Sequence, residues 1–344
     1  MILKQHIHIA LLIILSSITI KGWGQRYFVS NQYAYDLFLV NPAAAALNPD
    51  CYAVNAFYQQ KWIGTDLAPT TEILTFHKAF RNRLGIGTYG FNDRNGNHRE
   101  IALQQTLAYG ITLLKTKRRI TDLLFGFSLM GSQRSIDMSN PLPSGAIDPV
   151  LTGGNENGYG VNANAGALLT VNNWQAGFAA TNIFPFTNTL YTKENEPDIR
   201  MDLNLHIGTS FKIPDRNLFF EPIFYYRWNA YMDSRTEMNL KYYVPTIDPA
   251  FAWWGMIAYR RTMDKDWGNN LGTAATFGII KNGFTIGLEY EFGLTLSQKE
   301  YGSSFQLIAG YRFCRDRKYD AIPCAKGLGD EDVWKAGKAK KRRR

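Results

Sequence analysis

From residue 51 onward the chain breaks into segments of roughly ten residues in which apolar and polar side chains alternate, with clusters of Gly, Asn, Asp and Pro between them. Alternation with period two puts one set of side chains on each face of a β-strand. The clearest case is 304–313: Phe305, Leu307, Ala309, Tyr311 and Phe313 share one face, and on the other only Ile308 interrupts Ser304, Gln306, Gly310 and Arg312. In 284–293, Phe284, Ile286, Leu288, Tyr290 and Phe292 oppose Thr285, Gly287, Glu289, Glu291 and Gly293, which places two carboxylates away from the apolar face. Fourteen strands are expected: 51–62, 70–80, 82–92, 99–115, 118–132, 160–171, 173–182, 200–213, 217–229, 235–244, 249–261, 270–280, 283–297 and 303–313. Pro222 inside one of them cannot donate to a ladder and demands a bulge or a shifted boundary.

Connection lengths alternate as well. Brief turns at 81–82, 116–117, 172–173, 214–216 and 281–282 interleave with longer loops such as 133–159, 183–199 and 262–269. Short turns at one end and long loops at the other distinguish the two sides of an outer-membrane barrel, and an even strand count leaves both termini on the short-turn, periplasmic side. Each segment meets the ~9–11 tilted residues needed to cross a bilayer. Trp253 and Tyr259, and Tyr226 with Trp228, lie near strand ends where aromatic girdles sit. The fold class expected is therefore all-β, a transmembrane barrel of about 14 antiparallel strands. A soluble β-sandwich also uses alternating strands, but has little use for so many this rich in aromatics.

Composition agrees. Of 344 residues, 14% are aromatic and 30 are Gly, and beyond the N-terminus no stretch approaches the ~18 consecutive apolar residues of a spanning helix. The net charge of +9 is local: Lys335, Lys338, Lys340, Lys341, Arg342, Arg343 and Arg344 lie in the last ten residues, and without them and Lys4 and Lys21 the body is neutral. An exported chain meets little nucleic acid, so this tail reads as a solvated end or as an electrostatic dock for an acidic periplasmic protein or cell-wall polymer.

Residues 1–25 read as a secretory signal, with Lys4, an apolar core from Ile9 to Leu15, and an end at Gln25. Residues 26–50 lack strand alternation, and Asn41-Pro42 sets an extended or turn geometry there, so this segment is expected to plug or cross the periplasmic mouth. The remaining boundaries are 51–313 for the barrel and 314–344 for the basic tail. Cys51 and Cys314 fall where the first strand begins and the last ends, on one side; barrel closure makes them neighbours and a candidate disulfide, with Cys314–Cys324 the local competitor.

Candidate chemistry is sparse. Gly85-Ile86-Gly87-Thr88-Tyr89-Gly90 matches a dinucleotide fingerprint as text but opens no helix, so strand glycines at a bend explain it better. Asp93 to Asn97 lacks the Gly position and distant Glu of a calcium loop, and Asn95-Gly96 reads as a hairpin turn. His77, His98 and His206 have no partner at metal spacing, and no Gly-x-Ser-x-Gly elbow occurs. No catalytic, cofactor-binding or metal residue is assigned, and no cofactor is expected.

One set of segments is distinctive: Gln32-Tyr33, Asn41-Pro42-Ala43, Tyr58-Gln59-Gln60-Lys61-Trp62-Ile63-Gly64, Ala68-Pro69-Thr70-Thr71, Gly85-x-Gly87 and Asn92-Asp93-x-x-Gly96. In order and spacing they resemble the PorP/SprF family of type IX secretion outer-membrane proteins of Bacteroidetes, with Lys61-Trp62 where Gln-Trp is usual. The resemblance covers residues 32–96 and singles out Asn41, Pro42, Trp62, Gly64, Pro69, Thr71, Asp93 and Gly96 as motif or partner residues. It implies a non-enzymatic outer-membrane component of type IX secretion or gliding motility that supports export or surface attachment of secreted proteins. The partners it implies are outer-membrane lipid, the periplasmic secretion ring or a cell-wall-binding lipoprotein, and secreted cargo or adhesins. The alternatives are a passive channel or hydrophobic-solute transporter, whose lumen would carry Glu289, Glu291 and Arg312, and an outer-membrane hydrolase.

Overall fold

The computed structural model describes residues 31–48, 51–65, 67–80, 83–116, 119–137, 156–184, 201–213, 218–229, 234–248, 250–263, 270–293 and 302–314. Among these residues no helix is long and apolar enough to cross a membrane. The strands are Cys51–Gln60, Thr70–Ala79, Leu84–Asn95, His98–Lys115, Ile120–Ile136, Glu156–Val171, Trp174–Thr181, Asp202–Thr209 with its continuation Phe211–Ile213, Leu218–Asn229, Arg235–Pro245, Phe251–Thr262, Asn270–Lys281, Phe284–Phe292 and Ser304–Cys314. Each pairs antiparallel with the next, and the last pairs with the first in register from Cys51 opposite Cys314 to Gln60 opposite Phe305. The sheet is thus a closed barrel of fourteen strands.

The faces of the wall are inverted relative to a soluble protein. Phe284, Ile286, Leu288, Tyr290 and Phe292 are each 42–60% exposed and point outward, as do Leu103, Leu107, Tyr109 and Ile257. Thr75, Gln104, Thr106, Ser128, Asn164 and Asn204 point inward and are buried. Their polar groups find one another across strands: Asn164 donates to Gln104, the Thr106 and Ser128 hydroxyls lie 2.7 Å apart, and Tyr225 donates to Asn204 over 2.6 Å. So much exposed apolar surface suits a lipid exterior and excludes a sandwich. Trp253, outward and stacked on Phe277 at 5.4 Å, belongs to this surface, whereas Trp254 turns inward and is buried.

Two departures from the sequence expectation have physical causes. The strands Ile120–Ile136 and Glu156–Val171 outrun the expected 118–132 and 160–171 and pair with each other to Ile136 opposite Glu156. Beyond the lipid both faces can be polar, so alternation fades while the ladder continues. At Pro222 the expected disruption is a break in the neighbouring strand: pairing with Asp202–Thr209 stops at Ile223 opposite Gly208 and resumes at Phe220 opposite Phe211. Ser210 falls out of the ladder and donates its N–H to Asn173 over 3.3 Å.

The barrel seam is covalent. Cys51 and Cys314 face each other with Cα atoms 4.1 Å apart and form a disulfide that spans 263 residues of sequence. It fastens first strand to last at the short-turn rim. A chain cut at a protease site inserted after Gly154 is therefore expected to migrate as one species on a denaturing gel without reductant and as two fragments with it; separation without reductant would contradict the closed seam.

Candidate functional site

Residues 31–46 lie inside the barrel as three consecutive 3-10 turns, Asn31–Ala34, Leu37–Leu39 and Pro42–Ala46. The sequence dictates them locally. Asp36 caps the second turn by accepting from the Phe38 N–H at 3.2 Å, and Asn41 caps the third by accepting from the Ala43 N–H at 3.0 Å. Pro42 follows that cap, where its missing N–H costs nothing. The alanine run Ala43–Ala46 is almost fully buried, and its small side chains bring the backbone close to the wall.

This plug touches the wall on all sides. Gln32 donates to Gln306 at 2.7 Å, Asn239 donates to the Tyr33 hydroxyl at 2.5 Å, Lys241 donates to the Ala34 carbonyl at 2.8 Å, and Tyr35 donates to Thr276 at 2.8 Å. Asn41 donates to the Ala167 carbonyl at 3.1 Å and lies 3.1 Å from His206 Nε2. Where the wall offers no polar partner it offers space. A Cβ at Gly87 would stand 2.5 Å from the Phe38 ring and one at Gly85 2.7 Å from the Ala45 backbone, while Cβ atoms at Gly126 and Gly166 would overlap the Pro42 backbone and the Asn41 side chain. Gly85 and Gly87 of the nucleotide-like text thus leave room for the plug.

Asp36 is the strongest anchor. Its carboxylate accepts from Thr75 at 2.6 Å and Asn55 at 2.8 Å and lies 3.3 Å from His77 Nε2. Burial by itself would raise this carboxyl, but the His77 charge and the hydrogen bonds from His77, Thr75 and Asn55 outweigh it and hold the group well below the usual carboxylate range. A carboxyl lowered in the folded state stabilises it fully above its unfolded value of about 3.9, and the contribution fades only as pH falls below that. Mild acid therefore leaves this anchor in place. Burial, then the Glu237 charge, pushes the Tyr33 phenol upward, so it remains neutral in the bore.

Toward the long-loop end ion pairs line one side of the bore, within the strand Arg235–Pro245 and between Phe251–Thr262 and Phe284–Phe292. Arg235 meets Glu237 at 2.6 Å and Arg260 meets Glu291 at 3.0 Å, all four buried. Glu289 accepts from Thr276 at 2.8 Å, which also receives Tyr35, so the plug and this charged layer share a partner. Glu289 and Glu291, which the channel alternative would place along an open lumen, are buried, the first bonded to Thr276 and the second paired with Arg260. Arg312 alone of the three faces an open vestibule, at the short-turn end.

The family-motif residues separate into two places. Asn41 and Pro42 sit in the plug. At the long-loop rim, Thr71 donates to Asp93 at 2.5 Å, the Pro69 carbonyl accepts from the Lys61 N–H at 2.9 Å, and Gly96 turns with φ +61°. Trp62 takes φ +54° just past the first strand, and Gly64 follows it in the turn. Lys335, Lys338, Lys340, Lys341, Arg342, Arg343 and Arg344 lie outside the described residues, as does Cys324. Asp36, Gly126 and Gly166 went unread in the sequence, and His77 and His206 were weighed there only as metal ligands; glycines at inward positions of otherwise regular strands were the readable sign of an object pressed against them.

Gly126→Leu is expected to displace the plug, because overpacking against backbone that cannot yield costs about 1–3 kcal/mol. Asp36→Ala, which strands His77, Thr75 and Asn55, costs about 3–5 kcal/mol. Both variants should speed proteolysis within residues 31–48 while the barrel keeps its folded gel mobility; proteolysis at the unmodified rate would contradict the packing described.

No curated protein matches the sequence. Among solved structures, a monoaromatic hydrocarbon channel, CymD, is similar at TM-score 0.51 and 10% identity, covering 85% of this chain and 94% of that one. The P. putida toluene transporter TodX is similar at TM-score 0.44 and 12% identity, covering 85% and 95%. At such identity the first likeness speaks to fold alone, that of an outer-membrane barrel. The family described as "Type IX secretion system membrane protein PorP/SprF" matches residues 24–311. Nearly the whole barrel lies within that match, and the chain belongs to the PorP/SprF family of type IX secretion system membrane proteins.

Proposed function

We propose that the protein is a non-conducting, non-enzymatic outer-membrane component of type IX secretion that supports export or surface attachment of secreted proteins, rather than the conduit they cross. The filled bore carries this reading. A plug pinned to strands all around the wall, beneath a layer of buried ion pairs, leaves the rims and outer face as the working surfaces. Family membership supports the secretion role. On this reading the short-turn rim faces the periplasm, and the basic tail that follows Cys314 docks electrostatically on the secretion ring or a cell-wall-binding lipoprotein. Secreted cargo or adhesins meet the opposite side, and gliding motility is one use of such a display.

Two measurements test it. Purified protein in a planar bilayer is expected to show no steady conductance, and deletion of the gene should stop surface display of a subset of secreted proteins while small-solute uptake continues. Steady conductance together with lost solute uptake and normal export would instead establish the passive channel. Orientation is tested separately. An epitope after Arg344 should survive protease added to intact cells, while one near Gly154 is cut; the reverse pattern would invert the assignment.

A further inference from the structure

Below the plug the barrel opens at the short-turn rim into a vestibule whose roof is Tyr35 and Leu37 and whose walls include Ile223, Tyr243, Trp254 and Ile308. Ile308, the one apolar residue on the polar side of the last strand, faces this space and is buried. Among the described residues the charges around the vestibule are all committed but one. Asp36 is held by His77, Thr75 and Asn55. Glu221 accepts from Lys241 and from the Tyr243 hydroxyl, each at 3.0 Å, and Lys241 also caps the Ala34 carbonyl. Arg312 is half-buried and lines the vestibule together with Tyr243, yet among the described residues it has no ion pair and no side-chain hydrogen bond.

An unpaired guanidinium at the edge of low-dielectric, aromatic walls favours a carboxylate, in a planar, charge-assisted hydrogen bond. The surrounding surface favours apolar side chains on either side of that carboxylate. Among the described residues the plug lies above the vestibule, so a partner reaches it from the short-turn rim. We propose that this vestibule is a socket for an extended acidic segment of a partner protein, an Asp or Glu on Arg312 and a neighbouring apolar side chain against Tyr35 and Leu37. The partner approaches from the side that the proposed function assigns to the periplasm, and the inference rests on that reading for the partner's compartment though not for the socket's chemistry.

The test uses the purified full-length protein in detergent and two fluorescent capped peptides, Gly-Leu-Asp-Leu-Trp-Gly and the same sequence with Lys in place of Asp. The acidic peptide is expected to bind about tenfold tighter, a difference of about 1.4 kcal/mol. Arg312→Glu should reverse the preference, and Arg312→Lys should keep its sign. Should Arg312→Glu fail to give a folded barrel, Arg312→Gln, expected to abolish the preference, replaces it. Equal binding of both peptides, or a preference unmoved by substitution at Arg312, overturns the socket. Binding that emerges only after removal of residues 315–344 also overturns it, in favour of the chain's own tail as occupant. If charge-selective binding stands while gene deletion leaves export normal, the socket survives and the secretion reading fails, so the two outcomes are separable.

Discussion

A barrel of fourteen strands encloses more space than its own inward side chains fill, while its outer face must be apolar to sit in lipid. Most polar strand residues turn inward, and those groups must then be satisfied without bulk water. The plug answers that constraint. It brings donors and acceptors to Gln306, Asn239, Lys241, Thr276, Thr75 and Asn55, and fills the remaining volume with alanines and one phenylalanine set against wall glycines. The ion pairs of Arg235, Glu237, Arg260 and Glu291 do the same for the layer above.

The strands were legible because lipid enforces a strict alternation, so that segments such as 284–293 declare both faces. Legibility fell where the membrane ceases to act. Gln133 to Ile136 and Glu156 to Tyr159 pair as strand while reading as loop, for neither face need be apolar there. Pro222 was legible as a fault, but the accommodation at Ser210, on the neighbouring strand, was not. The seam cysteines followed from closure, since parity alone places 51 and 314 at one rim.

The plug was legible only in part. Asn41-Pro42 signalled non-strand geometry, but the direction of the segment into the bore depends on pairings 126 to 165 residues away, to Ala167 and His206. No local pattern encodes such contacts. A histidine such as His77 or His206 reads in isolation as a metal ligand without partners, and only the fold reveals each as a plug contact.

The central claim is that residues 31–46 are a built part of the barrel interior. Hydrogen exchange of the purified protein tests it most directly. Burial of this segment and its ties to the wall predict that backbone amides from Ala43 to Ala46 exchange as slowly as those of the barrel strands. Exchange as fast as in an exposed loop would contradict the account.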